Sequence, residues 1–329
     1  MNCLVLVLTS NDVESILTIN DTVSILEKSF IEFSRKQVDM TDRDVFIIED
    51  KKGWFGIMSA HMKNMAALGT KLVTVFPENL AIHKPTTQAV ISLIDVNTGE
   101  LIGIIDGSLI TGMRTGATTG IATKYLSKKS SSKLSIFGSG FQSKFQLMAI
   151  CSVRKIQEIL INSPSIDSKS KYISELQDLL DIPIIIEKNI KKLLTSDILV
   201  TSTTSPTPLF DGNLIDNGMH INCIGAHTKE TREVDLRTIE KSKVVVDEHS
   251  AALREAGELI IPIQNGEITE KIIYAELAEI VSGQKPGRIN DDEITLFKSM
   301  GLSLEDISTA KFVFDKAIDK GIGQDISLY

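Results

Sequence analysis

The stretch Gly138-Ser139-Gly140-Phe141-Gln142-Ser143 sets two glycines and a small residue at the spacing GxGxxS. Gly138 would allow a tight turn, and Gly140 would let backbone N–H groups come close to a pyrophosphate. Ser143 is small enough for a following helix to pack on the preceding strand. A helix beginning there would add partial positive charge at its N-terminus. The same spacing also serves as a plain strand-to-helix turn, so the flanking elements decide between the two. The three cysteines, Cys3, Cys151 and Cys223, are scattered. No Cys/His spacing fits a zinc site, so no metal is expected. Unpaired cysteines point to a reduced, cytoplasmic compartment.

Before residue 107 the pattern is mostly that of antiparallel strands with an early helix. Val23, Leu26, Phe30 and Phe33 recur at helical spacing, with Asp21 as the expected N-cap. "VFIIED-KKG-WFGIM" and "AVISLID-VNTG-ELIGIID" read as hairpins, and "GTKLVTVF" as a strand between them. "SLITGMRTGATTGIATKYL" is expected to be helical, with Gly112, Gly116 and Gly120 on one face. Each of these glycines costs a helix about 1 kcal/mol relative to alanine. Something must therefore approach that backbone closely, either a packed helix or a ligand. The polar stretch 127–133 reads as a linker.

From residue 134 the rhythm alternates. Strands are expected at 134–137, 158–162, 183–186, 197–201, 220–224 and 243–247, with helices between most of them, notably at 169–180 and 189–195. That alternation predicts a parallel, doubly wound sheet. In that setting the GxGxxS turn lies between the first strand and a helix and reads as dinucleotide-binding. The end of the second strand selects the cofactor. An acid there would bind the ribose 2'-hydroxyl of NAD. This chain has Ser163 and Ser165 instead, which favours NADP over NAD, while Asp167 could reach back in NAD's favour.

With 329 residues, 42% hydrophobic content and a net charge of -8, the chain reads as a globular protein of one or two domains. The negative charge argues against nucleic acid as a partner. No apolar stretch approaches the roughly 18 residues of a membrane span.

"TKLVTVFPEN", "PTTQAVISLIDVNTGELIGIIDG", "MRTGATTGIATKYL", "IFGSGFQS", "DILVTSTTSPTP" and "FKSMGLSLEDISTA" occur in this order. Together they resemble the ornithine cyclodeaminase/mu-crystallin family over nearly the whole chain. The resemblance implies a Rossmann-type α/β domain at 121–309. It also implies a second, α+β substrate and dimerisation domain formed by 1–120 with 310–329, and a homodimer. It assigns the substrate carboxylate to Arg43, Lys71, Thr86 and Arg114. To the cofactor contacts already read at Gly138, Gly140, Phe141, Gln142, Ser163 and Ser165 it adds Thr115, Thr118, Thr203, Thr204, Gly225, Lys298 and Ser299. The residue types suit these roles. Arginine grips a carboxylate with two parallel hydrogen bonds and stays charged when buried. A lysine in an apolar strand has a lowered pKa suited to proton transfer.

In "CIGAHTKETREVD" the sequence departs from the ornithine cyclodeaminases, which carry an aspartate where this chain has His227. Neutral histidine gives a distal ammonium no fixed counter-charge. The resemblance therefore implies an NAD(P)-dependent oxidoreductase acting on the C–N bond of a small α-amino or α-imino acid. An alanine dehydrogenase or an imine reductase fits, with Lys71 or His227 handling the proton. The alternatives are ornithine cyclodeamination and a non-catalytic NADPH or small-ligand binder of mu-crystallin type. Met58, His61, Phe76 and His83 are expected to line the pocket beyond the carboxylate.

Overall fold

The computed structural model describes residues 4–166 and 170–328; Cys3 and Asp167 lie outside the described residues. The chain divides into two units, residues 1–114 with 302–329, and residues 115–301. The divisions expected at 120/121 and 309/310 fall at 114/115 and 301/302. The first lies inside a helix, where no polar linker marks it.

The first unit opens with β1 (Leu4–Leu8), α1 (Ser10–Ile16) and α2 (Ile19–Ser34). Thr18 caps α2, its hydroxyl accepting from the Asp21 N–H at 3.1 Å. Asp21, expected as the cap, is instead the third helical residue and accepts from the Thr18 hydroxyl at 2.5 Å. A Thr three residues before an acid outcompetes the acid for the cap position. There follow β2 (Val38–Met40), β3 (Asp44–Ile48), β4 (Gly53–Met62), β5 (Ala67–Val75), β6 (Thr87–Ile94), β7 (Leu101–Asp106) and α3 (Gly107–Leu126).

The second unit continues with β8 (Lys133–Phe137), α4 (Phe141–Val153), β9 (Glu158–Asn162), α5 (Ser170–Leu180), β10 (Ile184–Ile186), α6 (Ile190–Leu193) and β11 (Ile198–Thr201). Next come β12 (His220–Cys223), α7 (Leu236–Lys241), β13 (Ser242–Val246), α8 (His249–Glu255) and α9 (Gly257–Gln264). β14 (Ile273–Glu276), α10 (Leu277–Val281) and β15 (Ile294–Lys298) complete it. The chain then returns to the first unit as α11 (Ser303–Lys320) and β16 (Gln324–Ser327).

In the first unit the strands run in the order β16-β1-β7-β6-β5-β4-β2, with β3 also paired to β4. All pairs are antiparallel except β1 with β7. One face packs on α11. Met58, Ala60 and Met62 of β4 and Ala67, Lys71 and Val73 of β5 are buried on it. The other face, with Phe55, Ile57, Leu68 and Leu72, is only half-buried.

The second unit holds an eight-stranded parallel sheet in the order β10-β9-β8-β11-β12-β15-β13-β14. Strand order reverses direction between β8 and β11, which is where doubly wound sheets open a ligand crevice at the C-terminal strand ends. Leu134, Ile136, Leu147, Ile159, Ile161, Ile198 and Val200 form a fully buried core cluster behind it. A Cβ on Gly116 would lie 2.4 Å from the Phe145 carbonyl oxygen, and one on Gly120 3.1 Å from Ala149. At these two positions the glycine stripe serves the packing of α3 on α4, rather than a ligand.

Candidate active site

The dinucleotide cradle is built where β8 passes into α4. Gly138 has φ +111, and a Cβ there would meet the Ser202 carbonyl oxygen at 2.2 Å, so only glycine fits. Gly140 is the N-cap of α4, and no side chain caps the first amides. A Cβ on Gly140 would meet nothing within 4 Å, so the space over this turn is open. The Oε1 of Gln142 is buried beside it without a hydrogen-bond partner. An open glycine face and uncapped amides together fit a pyrophosphate. Phe141 is exposed at the rim. Ser143 is fully buried, and its hydroxyl donates to the Gly140 carbonyl at 2.7 Å.

At the end of β9 the Ser139 hydroxyl donates to Ser163 Oγ at 2.9 Å, and Ser163 and Ser165 lie 3.4 Å apart, Oγ to Oγ. Thr203 and the exposed Thr204 follow β11, and Gly225 follows β12. A Cβ on Gly225 would lie 2.1 Å from the Thr203 carbonyl oxygen, so these two loops pack back to back. Thr115 and Thr118 are buried on α3.

Lys298 departs from its expected role. It is fully buried at the end of β15, where its ammonium donates to the Ala226 carbonyl and sits 3.3 Å from Glu258. Burial alone would lower its pKa, but Glu258 holds it above the ordinary lysine value. This lysine braces the loop after β12 from inside and presents no ammonium to a cofactor. Ser299 is also buried, beside the amides of Met300 and Gly301 that donate to Asp247.

In the first unit, Lys71 stands on β5 opposite Met58 of β4 and Ile91 of β6, on the face covered by α11. Its Nζ lies 2.5 Å from Asp306 Oδ2. Arg114 donates through Nε to Asp306 Oδ1 at 3.0 Å and through Nη1 to Glu305 Oε2 at 2.7 Å. Asp306 therefore bridges the two cations. Burial pulls the Lys71 pKa down to about 8; Asp306 opposes the shift, while Arg114 and Arg43 add to it. Burial would depress Arg114 as well, but Asp306 and Glu305 hold it above the usual arginine value. Arg43, just before β3, joins the cluster through its charge. Thr86 stands at the foot of β6, where its carbonyl accepts from the Phe76 N–H at 2.7 Å.

Sequence reasoning missed Asp306 and Glu305. Both lie in the first turn of α11, where acids ordinarily answer the helix dipole in solvent. Here every residue from Ser303 to Ala310 is buried. Residues 303–310 are mostly polar by type, so no pattern in the sequence signalled their burial. His61 pairs with Leu68 on the half-buried face, opposite to Lys71, and sits 3.6 Å from Asp39. It is not a wall of the lysine's pocket. His227 is exposed, and its Nδ1 lies 2.9 Å from the Gly225 carbonyl, which requires the proton on that nitrogen.

Among the described residues no group of side chains could hold a metal ion, and no helix is long and apolar enough to cross a membrane. The chain is 34% identical over 323 residues to a Delta(1)-pyrroline-2-carboxylate reductase of Bacillus thuringiensis subsp. konkukian, covering 98% of this chain and 99% of that one. It superposes on the Thermococcus litoralis Delta(1)-pyrroline-2-carboxylate reductase solved with NADH and L-proline. That match has a TM-score of 0.95 and 38% identity, and covers 98% of this chain and 100% of the other. An archaeal alanine dehydrogenase dimer with bound NAD matches with a TM-score of 0.93 at 32% identity, over 99% of this chain and 100% of that one. The family model matches residues 5–321. The chain belongs to the ornithine cyclodeaminase/mu-crystallin family.

Proposed function

We propose that the protein is an NAD(P)-dependent oxidoreductase that interconverts the C=N bond of a small α-imino acid and the CH–NH bond of the matching α-amino acid. The observation that carries this is the buried Lys71–Asp306–Arg114 cluster. It combines an arginine of fixed charge with a lysine whose proton is exchangeable near neutral pH.

When bound, NAD(P)H supplies a hydride for the imine carbon. Gly138, Gly140 and the first amides of α4 would hold its pyrophosphate. Arg114, with Arg43, anchors the substrate carboxylate, and Asp306 and Glu305 fix the Arg114 guanidinium plane. Protonated Lys71 donates the proton that the imine nitrogen needs as the carbon is reduced; neutral Lys71 takes it back in the oxidative direction. Ser163 and Ser165 offer hydroxyls where an acid would repel a 2'-phosphate, which favours NADPH over NADH. His227 gives a distal ammonium no fixed negative charge, which favours the reductase over ornithine cyclodeamination.

A homodimer and a cytoplasmic location belong to the same reading. Supporting the dimer, Phe46 is 58% and Ile47 65% exposed on opposite faces of the β3–β4 hairpin. The hairpin adjoins the half-covered sheet face of Phe55, Ile57, Leu68 and Leu72, and apolar surface of this kind marks an association site.

The test follows NADPH and NADH absorbance with pyrroline-2-carboxylate, piperideine-2-carboxylate, or pyruvate plus ammonia. Oxidation of reduced cofactor is expected with one of these. Proline from ornithine without net cofactor change would instead identify a cyclodeaminase, and binding without turnover a non-catalytic protein.

A further inference from the structure

Glu233, on the loop between β12 and α7, is fully buried, and its carboxylate spans two strand ends. Oε1 accepts from the Thr203 N–H and hydroxyl, each at 2.7 Å. Oε2 accepts from the Thr201 hydroxyl and the Gly225 N–H, each at 2.7 Å. All four partners are donors, and a carboxylate is the side chain that accepts from all four at once. Its own backbone is fixed from both sides: the Glu233 N–H donates to Glu258 Oε1 at 3.3 Å, and its carbonyl accepts from the Leu209 N–H at 2.9 Å.

Thr201 and Cys223 are register partners at the C-terminal ends of β11 and β12. The loops leaving those ends carry Thr203 and Gly225. The β11 loop in turn abuts Gly138, whose missing Cβ makes room for the Ser202 carbonyl. The ends of β8, β11 and β12 are thus set against one another, and Glu233 is the side chain that bridges two of them.

We propose that Glu233 is a positioning residue for the dinucleotide site. It holds the loops after β11 and β12 at the separation the cofactor needs, without touching the cofactor itself. The inference rests on the proposed NAD(P) dependence.

The experiment measures NADPH and NADH dissociation constants by fluorescence titration of the wild type, Glu233→Gln, Glu233→Asp and Thr201→Val, with Tm and kcat recorded for each. An amide presents donors to two existing donors, so Glu233→Gln loses two hydrogen bonds. Weakening of at least about tenfold is expected, with kcat at saturating cofactor changing far less. Glu233→Asp keeps the charge but shortens the bridge, and falls between. Thr201→Val removes one donor beneath the cradle and leaves every assigned contact in place; about threefold weakening is expected. Unchanged cofactor affinity in Glu233→Gln with a lower Tm would make the residue purely structural and overturn the proposal. If that variant does not fold, unchanged affinity in Thr201→Val overturns it equally. A wild type that binds neither nucleotide sinks the functional reading, and this inference with it; wild-type binding with unaffected variants sinks the inference alone.

Discussion

Lys71 and Arg114 answer burial differently, and the proposed chemistry uses the difference. Arginine keeps its charge under the influence of two carboxylates, whereas burial draws the lysine down to about 8 against the opposing pull of Asp306. In the reductive direction Lys71 must carry its proton, so kcat/KM is expected to fall as pH rises through about 8. The oxidative direction needs the neutral amine and should rise through the same range. Lys71→Met should lower turnover by roughly 10³-fold while NAD(P)H titrations stay unchanged. A pH–rate profile without an inflection near 8, or a variant with near-normal turnover, would remove Lys71 from the mechanism. The two cations were legible in the sequence through the family resemblance. Their carboxylate partners were not, because an acid in the first turn of a helix looks the same whether it faces solvent or an ion pair 235 residues away.

At the scale of elements, periodicity made the alternation of the second unit visible, since β8 to β13 are apolar runs bounded by polar turns. β14 and β15 escaped it. β14 ends on an acid, and β15 ends on a lysine whose burial no pattern reveals. The spatial insertion of β15 between β12 and β13 is likewise tertiary information. The glycine stripe on α3 was legible as a demand for close approach, but not as to what approaches. Since α4 does, Gly116→Ala should destabilise the protein by about 1–3 kcal/mol, because its Cβ would press on a backbone carbonyl that cannot rotate away. Gly120→Ala, facing a looser contact, should cost less. Urea denaturation checks the ranking, and equal, negligible effects would mean the helices separate freely.

For the whole molecule, the half-covered sheet face and the apolar β3–β4 hairpin lead to an expectation about assembly. Phe46→Lys combined with Leu72→Asp, both on that face, should convert the proposed dimer to a monomer in sedimentation velocity, with far-UV circular dichroism retained. An unchanged sedimentation coefficient would place the contact elsewhere. The first unit is also discontinuous in sequence: α11, which covers its sheet and supplies Asp306, and the edge strand β16 come after the whole of residues 115–301. The long interruption adds little thermodynamic cost, since closure entropy grows only as the logarithm of loop length. Its effect is on the order of events. On the ribosome the second unit can close on itself while the first waits with its sheet uncovered and Lys71 and Arg114 without their acids. Trp54, the sole tryptophan, lies on β4 and reports that late event. Refolding followed by its fluorescence should lag behind recovery of circular dichroism; coincident traces would show that the two units close together.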